Sequence, residues 1–88
     1  MVSKTVKVVN AQGMHMRPAG MIVAEMKKFP GCNTLLKVNG KDVKATAVMQ
    51  IMAAGIKCGS EVEIVCDGEG ENEALEAVAG LFESGFGE

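Results

Sequence analysis

Apolar and polar residues alternate along the start of the chain, with Val2, Lys4, Val6 and Val8 on one side and Ser3, Thr5, Lys7 and Val9 on the other. This period of two predicts a first strand, closed by the turn Asn10-Ala11-Gln12-Gly13. From Met16 the spacing changes to three and four residues. Ala19, Ile22, Val23 and Met26 form one apolar stripe of a helix that stops before Phe29-Pro30-Gly31. Pro18 lies in its first turn, where a missing N–H does no harm.

The dipeptide Asn39-Gly40 suits the positive φ angles of a two-residue hairpin turn. It sets a register in which Val38 faces Lys41, Leu36 faces Val43 and Thr34 faces Ala45. On the other face Lys37 and Asp42 make an opposite-charge pair. A short second helix follows, with Thr46 as N-cap and Gly55 as its stop. About two turns cannot bury Val48, Met49, Ile51 and Met52 together against one sheet, so part of this apolar surface is expected to stay exposed.

Glu61 to Cys66 alternates again, with Val62, Ile64 and Cys66 on one side, and gives the last strand before Asp67-Gly68-Glu69-Gly70. A final helix starts near Glu71, carries Ala74, Leu75, Val78, Leu81 and Phe82 on one stripe, and has acidic residues in its first turn that suit the helix dipole. The order β-α-β-β-α-β-α predicts an α+β open-faced sandwich: a four-stranded antiparallel sheet covered on one face by three helices.

A chain of 88 residues is one domain, residues 1–88, too small to hold separate substrate and cofactor domains. Any chemistry is compact or shared with a partner. A formal net charge of -2 lacks the basic footprint that neutralises nucleic-acid phosphates, so no nucleic-acid role is expected. The N-terminus alternates instead of forming an apolar run, and no window approaches membrane-spanning length. A cytoplasmic protein without membrane insertion is expected. Cys32, Cys58 and Cys66 form no Cys-x-x-Cys pair and suggest neither a disulfide framework nor a zinc site; reduced thiols serving as small apolar side chains are expected.

The chemistry points to one place. His15, the only histidine, stands between the glycine turn and the first turn of a helix. A helix N-terminus offers N–H groups without intrahelical partners and the positive end of the dipole, which together suit phosphate oxygens. Arg17 adds a guanidinium able to pair with those oxygens in a fork. Imidazole is a nucleophile near neutral pH because much of it is uncharged there. Taken singly, His15, Arg17 and Gly13 would each be an ordinary solvated or turn residue. Their succession at the start of a helix favours a carrier of a phosphoryl group. No second imidazole and no P-loop spacing offer a competing nucleophilic site.

The stretch Gly13-Met14-His15-Met16-Arg17-Pro18-Ala19 resembles the G-[LIM]-H-x-R-P-A signature of the histidine-containing phosphocarrier (HPr) family of the bacterial phosphoenolpyruvate-dependent sugar phosphotransferase system. Asn39-Gly40-Lys41 and the segment from Val48 to Gly55 resemble its hairpin and second helix, so the likeness spans nearly the whole chain. The resemblance implies a stoichiometric carrier and not an enzyme. It would accept a phosphoryl group on Nδ1 of His15 from phosphorylated enzyme I, with Arg17 assisting, and pass it to the A domains of sugar permeases. It also implies a partner surface of Met16, Gly20, Met21, Val48, Met49 and Met52, with Met16, Arg17 and Pro18 forming the phosphate-binding helix start. Flexible methionines suit several partners in turn.

The family's regulatory serine, target of a kinase, has its equivalent here at Ala47 or, with a shifted alignment gap, at Thr46, so the serine switch is expected to be absent. Neither cofactor nor metal is implied, and a monomer is expected, with regulatory proteins as possible further partners. Alternatives are a nitrogen-branch paralogue using the same histidine, a protein-binding regulatory domain in which His15 is dispensable, and a soft-metal module built on Met14-His15-Met16.

Overall fold

The computed structural model describes residues 1–87. Strand β1 (Val2–Lys7) is followed by helix α1 (Met16–Met26), strands β2 (Cys32–Val38) and β3 (Lys41–Lys44), helix α2 (Val48–Ala53), strand β4 (Glu61–Gly68), helix α3 (Glu71–Glu83) and a 3₁₀ turn (Gly85–Gly87). The four strands form one antiparallel sheet in the order β1-β4-β2-β3. The expected α+β open-faced sandwich is therefore the architecture found.

The hairpin register follows from its turn. Asn39 and Gly40 adopt φ of 53° and 75°, and the pairs Val38–Lys41, Leu36–Val43 and Lys37–Asp42 form as expected. The ladder closes at Leu35–Lys44, yet the Ala45 N–H still donates to the Thr34 carbonyl at 3.1 Å. Across the sheet, Val43, Leu36 and Ile64 make one buried row. Lys4 continues that row on the edge strand, where its ammonium reaches Glu83 Oε2 on α3 at 3.1 Å. Its stem thus lies over the sheet edge while its charge stays at the surface.

The helices contribute Ala19, Ile22 and Met26 from α1, Ile51 from α2, and Ala74, Val78 and Phe82 from α3 to the core. Phe86 joins it, fully buried and edge-on to Phe82 with ring centroids 4.9 Å apart. Of the apolar residues on α2, Ile51 is fully buried, Val48 and Met52 are half-buried, and Met49 is 75% exposed.

Three expectations need correction. Thr46 does not cap α2. The Ala47 N–H donates to the Lys44 carbonyl, which folds Thr46 into the preceding turn, and Ala47 itself takes the N-cap position with no side-chain acceptor. The last strand runs on through Asp67 and Gly68, because these two pair with Asn33 and Cys32. Of the cysteines, only Cys66 is a fully buried core residue; Cys32 is half-buried and Cys58 is exposed. Burial pushes the Cys66 thiol pKa up, partly opposed by its hydrogen bond with Thr34.

Candidate phosphoryl-acceptor site

The turn before α1 determines where His15 points. Gly13 has φ of +66°, a region that few residues with a β-carbon adopt. Its N–H donates to the Asn10 carbonyl at 3.1 Å, and the Asn10 side-chain amide donates back to the Gly13 carbonyl at 2.6 Å. One residue later, the Met14 N–H donates to the Ile56 carbonyl at 3.0 Å and the Met14 side chain enters the core. Because Met14 points inward, His15, with extended backbone (φ −131°, ψ −170°), is left at the surface as the N-cap of α1.

The His15 imidazole does not cap the helix. The end of α1 therefore keeps its donors for another acceptor. Ala19 N–H is already bonded to the His15 carbonyl at 3.0 Å and Pro18 has no N–H. The remaining first-turn donors are the amides of Met16 and Arg17, which have no intrahelical partner. They lie at the positive end of the helix dipole. The exposed Arg17 side chain and the half-buried His15 line one open depression together with Val9, Asn10, Ala11 and Gln12. An imidazole, a guanidinium and a helix N-terminus thus share one open concave surface, an arrangement suited to phosphate oxygens.

The expected partner surface is adjacent. Helices α1 and α2 pack against each other. Met16 is 66% exposed, Met49 is 75% exposed, and Gly20 lies open, since a β-carbon there would meet nothing within 4 Å. Met21, Val48 and Met52 are half-buried and pack against the core.

The soft-metal arrangement does not assemble. Met14 is in the core while Met16 is outside, so the two thioethers do not flank His15 at the surface. Among the described residues no group of three or more His, Cys, Asp or Glu side chains could hold a metal ion, and no helix is long and apolar enough to cross a membrane. In the sequence Asn10 is one more residue of the turn Asn10-Ala11-Gln12-Gly13, with nothing beyond its type and spacing to mark it. The available signal was an asparagine three positions before a turn glycine, the spacing at which its side chain can bond the backbone in place of a peptide group.

Comparison with known proteins gives a consistent outcome. The family model described as PTS HPr component phosphorylation site matches residues 2–84. The phosphocarrier protein HPr of Treponema pallidum is 41% identical over 88 residues, covering 100% of this chain and 99% of the relative. The phosphocarrier protein NPr of Escherichia coli K12 is 36% identical over 87 residues, covering 99% and 97%. Among solved structures, HPr from Thermoanaerobacter tengcongensis superposes with a TM-score of 0.93 at 35% identity, covering 100% of this chain and 98% of that one.

Proposed function

The chain belongs to the HPr family of phosphocarrier proteins of the phosphotransferase system, and we propose that residues 1–88 act as one carrier domain whose phosphoryl acceptor is His15. The observation that carries this reading is the joint placement of His15 and Arg17 in one depression at the N-terminus of α1.

In the proposed step the neutral imidazole, with its proton on Nε2, attacks the phosphorus held by phosphorylated enzyme I through Nδ1. An N–P bond forms to His15 as the bond from phosphorus to the donor breaks. No proton has to leave. The Met16 and Arg17 amides and the Arg17 guanidinium stabilise the oxygens of the transferred group by charge-assisted hydrogen bonds, and Pro18 fixes the helix start without competing for them. Both docking partners would use Met16, Gly20, Met21, Val48, Met49 and Met52, which explains why α2 leaves Met49 in water. The phosphohistidine is then consumed by the A domain of a sugar permease. The carrier is regenerated unchanged, as a stoichiometric relay member and not an enzyme in its own right.

The reading extends to a cytoplasmic monomer that needs no cofactor, supported by a core closed within one chain. Kinase control at α2 is absent in this proposal, because Ala47 holds the N-cap position and offers no hydroxyl. A nitrogen-branch role remains the second reading, favoured by the match to NPr. The test is onward transfer. Protein phosphorylated by phosphoenolpyruvate and enzyme I is expected to lose its label to an isolated sugar-permease A domain. Retention of the label there, with loss to a nitrogen-branch A domain, would overturn the sugar branch.

A further inference from the structure

We propose that Asn10 is a positioning residue for phosphoryl transfer, its side-chain amide locking the turn that aims the His15 imidazole. The proposal rests on the phosphocarrier reading above.

Asn10 is only 4% exposed, although Ala11 and Gln12 beside it are exposed. Burying a primary amide is unfavourable unless its hydrogen bonds are replaced. The Nδ2 group donates to the Gly13 carbonyl at 2.6 Å while the Gly13 N–H donates to the Asn10 carbonyl at 3.1 Å. Two bonds in opposite directions thus close a ring over residues 10–13. Gly13 is the joint of the turn, at φ +66°, and its carbonyl lies two residues before the imidazole. Rotation of the Gly13–Met14 peptide would redirect His15, and that rotation would cost the buried amide its acceptor.

The ring is itself held from behind. Val8 N–H donates to the Ser60 carbonyl at 2.9 Å and Gly59 N–H to the Val8 carbonyl at 2.8 Å, so the loop after α2 clamps the residues that enter the turn. On the other side the 3₁₀ turn comes close to Asn10: a β-carbon built on Gly85 would reach Asn10 Cβ at 3.8 Å, an ordinary contact distance. Asn10 therefore couples the end of the fold to the acceptor loop without belonging to the docking surface of Met16 and Met49.

Asn10→Asp separates this role from bulk, since aspartate has nearly the same shape but at neutral pH presents a carboxylate, which cannot donate, to the Gly13 carbonyl. Asn10→Ala removes the group altogether. Phosphoryl acceptance from phosphoenolpyruvate and enzyme I would be measured for wild type and both variants, at a temperature where each is folded by circular dichroism. The expected result is a fall in kcat of about 10- to 100-fold, the scale of a misaimed nucleophile, with KM within about twofold because docking is untouched. A residue that only stabilises the fold would leave kcat of the folded variants unchanged. Wild-type kcat in either folded variant, or a loss confined to KM, overturns the positioning role while leaving the phosphocarrier reading intact. Wild type that takes up no phosphoryl group overturns that reading, and the inference with it.

Discussion

Gly13 and Ile56 touch backbone to backbone: a β-carbon on Gly13 would lie 2.9 Å from the Ile56 carbonyl oxygen, the same oxygen that accepts the Met14 N–H at 3.0 Å. The turn that delivers His15 is thus tied to the loop that follows α2. Gly13→Ala combines a left-handed backbone with this clash and is expected to lose about 1–3 kcal/mol of stability in urea unfolding, with slower phosphoryl acceptance. A loss below about 0.5 kcal/mol, typical of a free surface position, would show that the contact yields easily.

Helix α2 begins at Ala47 with no side-chain acceptor for its first amides. Ala47→Ser supplies one and is expected to raise stability by about 1 kcal/mol, read as a higher urea midpoint at unchanged m-value. An unchanged or lower midpoint would mean that the Ala47 backbone does not hold its cap geometry.

Met49 is 75% exposed on α2, which packs against α1, the helix that carries the exposed Met16. Met49→Asp is expected to raise KM for enzyme I about tenfold, the effect of losing about 1.4 kcal/mol of docking energy, with the melting temperature nearly unchanged. If KM stays at the wild-type value, docking does not use the exposed methionine.

The N-terminal amine of Met1 lies 2.9 Å from Glu71 Oε2, and Glu71 Oε1 accepts the Gly68 N–H at 3.2 Å. The amine and the Gly68 N–H hold the Glu71 carboxyl below its ordinary value of 4.5, and chiefly the Glu71 bond raises the amine above 8.0. A lowered carboxyl pKa stabilises above 4.5 and loses that effect as pH falls through the folded value. A raised amine pKa stabilises below 8.0 and loses it as pH rises through the folded value. The stability difference between wild type and Glu71→Gln, with Met1 retained, is therefore expected to plateau between these pH values and shrink on both sides. A difference that does not vary with pH would contradict the pairing.

Much of this was legible in the sequence because it rests on local chemistry. Asn39-Gly40 can form few turns other than the one found, and period-two and period-3.6 stripes admitted only one assignment of the helices and strands. The N-cap of α2 was not legible, since Thr46 is the better capping residue and only the tertiary Lys44–Ala47 turn displaces it. The end of β4 was hidden for a similar reason: Asp67 and Gly68 are poor strand formers that pair because Asn33 and Cys32 are already in the sheet. At the site, the helix start, His15 and Arg17 were visible as consecutive residues. Asn10 was not, because its burial is a tertiary property: its neighbours in space include Gly85, 75 residues away in the chain.

In the proposed relay His15 alone accepts the phosphoryl group. Incubation with phosphoenolpyruvate and enzyme I, followed by intact mass measurement before and after mild acid, tests it most directly. One added phosphoryl group is expected on wild type, removed by acid, and none on His15→Ala. Equal labelling of the two proteins would contradict it.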